Sequence, residues 1–121
     1  MAKILIVEDD KLIRAGLVDL LRTETDHQVI EAEDGESGLE LALKQQPALI
    51  ITDLHMPKKT GTEMIADIRQ DSWGKDVPII IMSNDEATST INDALEAGVT
   101  VYLSKVNVDR TALLQQISTM L

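Results

Sequence analysis

The chain has 121 residues, a formal net charge of −10 and 44% hydrophobic content. That suits one acidic domain whose core buries about two-thirds of the unfolded chain's surface, and it excludes an intrinsically disordered chain. Twenty-one acidic residues against eleven Lys and Arg disfavour the phosphate backbone of nucleic acid and anionic membranes as direct partners, and the absence of cysteine excludes disulfides, thiolate metal sites and thiol catalysis. No apolar run reaches the ~20 residues of a bilayer span. The opening run Ile4-Leu5-Ile6-Val7 is cut short by Glu8-Asp9-Asp10, unlike a signal peptide. A cytoplasmic location without membrane contact is expected.

Taken in chain order, Ile4–Val7 is a short, β-branched apolar run of the kind that forms strands buried on both faces. Helical spacing follows at Ile13, Leu17, Leu20 and Leu21, with Asp10 as its N-cap. Val29-Ile30 is a weaker strand signal, followed by Asp34 as a cap and Leu39, Ala42 and Leu43 on a helix. Ala48–Thr52 is the third strand candidate, with Pro47 near its start, and Met64, Ile65 and Ile68 mark the third helix. Val77–Met82 is the fourth, and Ile91, Ala94 and Leu95 its helix, closed by Gly98 in the αL conformation. Val99–Leu103 is the fifth, before Asp109 as a cap and Leu113, Ile117, Met120 and Leu121. The five methionines read as core filler or helix-face residues, and Trp73 as a loop anchor. Strict strand–helix alternation predicts an α/β, doubly wound, flavodoxin-like fold: a five-stranded parallel sheet of order 2-1-3-4-5 with five helices, in one domain over residues 1–121.

Ligands of such sheets sit beyond the carboxyl ends of the strands, near the switch between strands 1 and 3. Strand 1 is followed by Glu8-Asp9-Asp10, strand 3 by Asp53, strand 4 by Ser83, and strand 5 by Ser104-Lys105. Carboxylates from adjacent strands repel one another unless a cation joins them. Hard oxygen donors, few enough to leave room for water, favour Mg²⁺ over Zn²⁺ or a caged Ca²⁺. Mg²⁺, Lys105 and the Ser83 hydroxyl together suit a phosphoryl group, with an aspartate as nucleophile. Singly, each residue has a plainer reading. Glu8 and Asp9 could be a solvated acidic turn, Ser83 a turn or cap residue, Lys105 a surface lysine, and His55 a residue acting through its backbone carbonyl or not at all. Their joint placement at one sheet edge is the signal.

These residues resemble the receiver domain of two-component response regulators (CheY-like) from Lys3 to the last helix. The resemblance rests on Ile4-Leu5-Ile6-Val7-Glu8-Asp9-Asp10, on Asp53-Leu54-His55-Met56-Pro57 with Gly61 four residues on, on Met82-Ser83, and on Glu96-Ala97-Gly98 followed by Tyr102-Leu103-Ser104-Lys105. It implies that Asp53 accepts a phosphoryl group from a histidine kinase or phosphotransfer protein. It further implies that Mg²⁺ is held by Asp9, Asp53 and the His55 carbonyl, with Glu8 acting through metal-bound water. Ser83 and Lys105 would bind the acyl phosphate, and Tyr102 would report phosphorylation on the face of helix 4, strand 5 and helix 5, where an unidentified downstream protein docks.

Two positions depart from the family pattern. Val106 replaces the proline usual after the lysine, and Asn84 the small residue usual after the hydroxyl. A cis bond before a non-proline residue costs about 2.5–4 kcal/mol, so Lys105-Val106 is expected to be trans, with Lys105 displaced from Asp53 or reaching it by another rotamer. Thr100 and Val101 lack the acidic residues common in receivers that dimerise on this face to bind DNA, which argues against that type. His55 and Asp85 flank the site and are expected to set access of attacking water. Competing readings are a pseudo-receiver that binds a partner without phosphorylation, and an aspartate-nucleophile phosphohydrolase. The latter needs a second acid two residues after the nucleophile, where His55 stands. No enzymatic activity beyond phosphorylation and dephosphorylation of Asp53 itself is expected.

Overall fold

The computed structural model describes residues 2–85, 87–105 and 109–121, with the Thr88 side chain left out. The expectation for the Lys105-Val106 bond lies outside the described residues. Ten elements alternate strictly: β1 Lys3–Val7, α1 Lys11–Glu24, β2 Gln28–Ala32, α2 Gly35–Gln45, β3 Leu49–Thr52, α3 Gly61–Gln70, β4 Ile79–Ser83, α4 Thr88–Glu96, β5 Val101–Ser104 and α5 Arg110–Met120. All strand pairs are parallel, and the sheet order is β2-β1-β3-β4-β5, as the alternation predicts.

The apolar runs divide by parity because successive side chains leave a strand on opposite faces. Leu5, Val7, Ile50, Ile79 and Ile81 pack against Met64, Ile65 and Ile68 of α3, with Ala42 of α2 and Ala94 of α4 in the same cluster. Ile4, Ile6, Leu49, Ile51 and Ile80 pack instead against α1 and α5. Helices therefore cover both faces, and the three central strands β1, β3 and β4 need continuous apolar sequence. Trp73 anchors the α3–β4 connection against the first cluster. Met56, Met64 and Met82 are buried.

Several boundaries shift from the periodicity. β2 runs to Ala32, two residues beyond Ile30, and β4 excludes Val77-Pro78 but takes in Ser83. Register with neighbouring strands decides these ends, and a short local pattern does not carry it. Three residues of the predicted helical stripes are exposed instead of buried: Ile13 at 36%, Leu43 at 39% and Leu95 at 50%. For Ile13 the cause is visible. It lines, with Leu12, Gly16 and Leu113, a groove of about 340 Å³ between α1 and α5 that no side chain fills. Leu121 caps α5 and is likewise exposed.

The predicted caps are present. Asp10 accepts from the N–H groups of Leu12 and Ile13, Asp34 from Ser37, and Asp109 from Thr111. Gly98, at φ 87°, ends α4 in the region that an L side chain rarely adopts. Asp34 is almost wholly buried, and the Ser37 backbone N–H holds its carboxyl below the usual range, aided by the Ser37 hydroxyl and Lys58. A carboxylate stabilised in the folded state contributes above its unfolded pKa, and that contribution is lost as pH falls through the folded value. Asp34→Ala should therefore cost about 1 kcal/mol at neutral pH in urea denaturation, with the difference shrinking on acidification below about pH 4.

Candidate functional site

The ladder of the sheet continues one residue past each strand and thereby places the site. The Glu8 N–H donates to the Ala32 carbonyl at 3.0 Å, the Asp53 N–H to Val7 at 3.1 Å, and the Lys105 N–H to Ser83 at 3.0 Å. Glu8, Asp53 and Lys105 are thus the residues where three chains leave the sheet at its carboxyl edge, and Ser83 is the last residue of β4. The structure brings these predicted residues together.

Asp53 is 9% exposed. Its Oδ1 accepts the Leu54 N–H at 2.7 Å and its Oδ2 accepts Lys105 Nζ at 2.8 Å, so both carboxylate oxygens are oriented. Lys105 Nζ also pairs with Glu8 Oε1, which lets one ammonium bridge the two acids. The lysine reaches Asp53, one of the two outcomes expected from Val106 at the next position. Glu8 is 2% exposed, and its Oε2 accepts the Asp10 N–H at 3.2 Å. Burial pushes the Glu8 carboxyl above its ordinary value, although the Lys105 hydrogen bond and the Asp10 N–H pull the other way. For Lys105, burial favours the neutral amine, but hydrogen bonds to Asp53 and Glu8 and attraction to both carboxylates outweigh it and raise its pKa.

Asp9 is exposed at the rim, and one oxygen each of Glu8, Asp9 and Asp53 lie within 4.8 Å of one another. Three carboxylates at that spacing, on hard oxygens with water access at Asp9, fit a divalent cation such as Mg²⁺. Ser83 is 1% exposed, and its Oγ accepts the Asp85 N–H at 3.1 Å.

A second layer of contacts was not legible in the sequence. His55 Nε2 lies 3.0 Å from Asp85 Oδ2, linking the β3–α3 loop to the β4–α4 loop beside the site. Asp85 also accepts from the Thr90 hydroxyl and the Ala87 N–H, while its backbone carbonyl accepts the Tyr102 hydroxyl. The Ala87 N–H, then His55, hold the Asp85 carboxyl below its ordinary range. One chain of contacts therefore runs from Ser83 through Asp85 to Tyr102 on β5. On the opposite flank, Arg14 of α1 donates to the Glu8 carbonyl at 2.8 Å and to Glu31 Oε1 at 3.1 Å. No motif marks Arg14; its place one turn after the Asp10 cap is the only signal the sequence offered.

The loop after Asp53 is fixed by close backbone approach. A Cβ on Gly61 would lie 2.1 Å from the Asp53 carbonyl oxygen, and one on Gly35 only 1.9 Å from the Lys59 carbonyl oxygen. The Gly61 N–H donates to the Leu54 carbonyl at 2.7 Å.

The family model described as the response regulator receiver domain matches residues 4–118. The transcriptional regulatory protein DegU of Brevibacillus brevis is 33% identical over 116 residues, which are 95% of this chain and 48% of DegU. The chain spans about half or less of the length of the first curated relatives it matches. Among solved structures, chemotaxis response regulator CheY4 of Vibrio cholerae superposes with a TM-score of 0.90 at 30% identity, covering 100% of this chain and 99% of CheY4. The receiver domain of sensor histidine kinase PA1611 from Pseudomonas aeruginosa, described with a magnesium ion coordinated in its active-site cleft, gives a TM-score of 0.89 at 26% identity over 98% of this chain and 96% of that one.

Helix propensity alone favours Ala over Gly by about 1 kcal/mol. At Gly61 the clash with backbone should win. Gly61→Ala should destabilise the fold by about 1–3 kcal/mol and shift the Asp53 and Leu54 amide resonances; unchanged resonances would show that the approach does not hold the loop.

Proposed function

The chain belongs to the response regulator receiver family, and from that premise we propose that residues 1–121 form one receiver domain in which Asp53 is the phosphoacceptor. The observation that carries the proposal is the shared Lys105 ammonium between Asp53 Oδ2 and Glu8 Oε1 at the carboxyl edge of the sheet. An oxygen of the Asp53 carboxylate attacks phosphorus of a phosphohistidine on a histidine kinase or phosphotransfer protein. The P–N bond breaks, the imidazole leaves with its electron pair, and an aspartyl phosphate remains. Lys105 is held charged by its two carboxylate partners and is placed to hold an incoming phosphoryl oxygen as its bond to Asp53 loosens. Ser83, buried beside it, supplies a hydroxyl for another oxygen.

Glu8, Asp9, Asp53 and the His55 carbonyl are the proposed Mg²⁺ ligands, Glu8 through water. Bound there, Mg²⁺ supplies the charge neutralisation that lets an anionic donor approach three acids. The His55–Asp85 contact spans the two loops beside Asp53 and is placed to limit access of hydrolytic water. It is exposed on the histidine side and contributes little to stability, so its effect is steric. No substrate other than Asp53 itself is proposed.

Transmission follows from the contacts around Asp85. When Ser83 turns toward a new phosphoryl oxygen, its Oγ gives up the Asp85 N–H, and the loop that holds the Tyr102 hydroxyl is free to rearrange. A downstream protein would read the change on α4, β5 and α5. Differential interaction of ~2 kcal/mol shifts a two-state population about thirtyfold, enough for a signal.

Incubation with Mg²⁺ and acetyl phosphate should add one phosphoryl group by intact mass, and neither Asp53→Asn nor wild type in EDTA should be labelled. Normal labelling of the variant, or undiminished labelling in EDTA, would defeat the phosphoacceptor and metal assignments respectively. Ser83→Ala should still accept a phosphoryl mimic with Mg²⁺ but lose the Tyr102 and α4 amide shifts of wild type. Equal shifts in both proteins would break the proposed coupling.

A further inference from the structure

We propose that Arg14 is a positioning residue for the acidic turn, fixing the Glu8–Asp9 peptide plane so that both carboxylates face the cation site; this rests on the Mg²⁺ reading above. Arg14 sits on the first turns of α1, with its backbone N–H on the Asp10 carbonyl at 2.9 Å. Its side chain is only 15% exposed. One guanidinium nitrogen, NH1, donates to the Glu8 carbonyl at 2.8 Å, and Nε donates to Glu31 Oε1 on β2 at 3.1 Å.

A trans peptide is planar, so holding one carbonyl oxygen fixes the orientation of the whole unit between two Cα atoms. Here that unit joins Glu8 to Asp9. Its other restraint is the Glu8 N–H on the Ala32 carbonyl, which holds the entry to the turn but not the exit. Arg14 supplies the exit restraint. Glu31 in turn fixes the guanidinium, whose planar fork presents its N–H groups in fixed directions that a lysine cannot reproduce. The arrangement ties β2, α1 and the acidic turn together on the flank away from Lys105.

Electrostatics gives the opposite expectation, which makes the proposal testable by sign. Removing a cation near three carboxylates should tighten Mg²⁺ binding if only the field matters. Removing a positioning group should weaken it, by about tenfold on the scale of outer-shell metal-site changes.

The test is calorimetric titration of MgCl₂ into wild type, Arg14→Ala, Arg14→Lys and, as a charge control on the exposed side of α1, Arg22→Ala, with thermal melts to verify folding. Arg14→Ala should weaken Mg²⁺ binding about tenfold, Arg14→Lys should weaken it less, and Arg22→Ala should not weaken it. Phosphorylation by acetyl phosphate should slow in Arg14→Ala at low Mg²⁺ and recover at saturating Mg²⁺. If Arg14→Ala does not fold, Arg14→Lys keeps the charge and carries the test. Wild-type affinity or tighter binding in the Arg14 variants overturns this inference. Failure of wild type to bind Mg²⁺ overturns the metal reading on which it rests.

Discussion

Two carboxylates, one of them 2% exposed, meet at the carboxyl edge of this sheet and share a single ammonium group. Ionised acids that close cannot be desolvated without a compensating cation, because each loses hydration and repels the other. Lys105 supplies that cation from within the chain. The rest of the architecture follows from the need to bring it there: parallel order puts every strand's carboxyl end on one side, and β1, β3, β4 and β5 deliver Glu8, Asp53, Ser83 and Lys105 to that edge. The apolar runs behind them are long enough to bury both sheet faces, so the polar ends cannot slip inward without dragging Ile and Val to solvent.

The same arrangement stores a conflict that phosphorylation chemistry can use. With Lys105 engaged by both acids, the cluster is held together, yet Asp9 remains at the rim and the local charge remains acidic. A divalent ion and an incoming phosphoryl group would each redistribute Lys105 between its partners. Around this centre the supporting contacts lie on opposite flanks. Arg14 and Glu31 hold the acidic turn from the β2 side, while Asp85 gathers His55, Thr90 and Tyr102 from the β5 side. The first group bears on where the acids point, and the second on what happens after they react.

How much of this the sequence carried depended on whether the determining interaction was local. Strand order and helix count followed from short apolar runs alternating with helical spacing, and the caps at Asp10, Asp34 and Asp109 from the need to satisfy free N–H groups. Glu8, Asp53, Ser83 and Lys105 were legible because each directly follows or ends a strand. The limits of β2 and β4 were not, since they are set by register with β1 and β3. Nor was the exposure of Ile13, which depends on what α5 leaves uncovered. Arg14 and the Asp85 contacts join residues distant in sequence through a guanidinium and through backbone carbonyls, groups that leave no periodicity and no motif.

The central claim is that the group held by Lys105, Asp53 rather than Glu8 or Asp9, is the one that reacts. It is tested most directly by trapping the product. After incubation with Mg²⁺ and acetyl phosphate, borohydride reduction converts an aspartyl phosphate to homoserine, and peptide mass spectrometry locates it. The account predicts homoserine at position 53 alone. A reduced product at Glu8 or Asp9, or one spread over several acids, would contradict it.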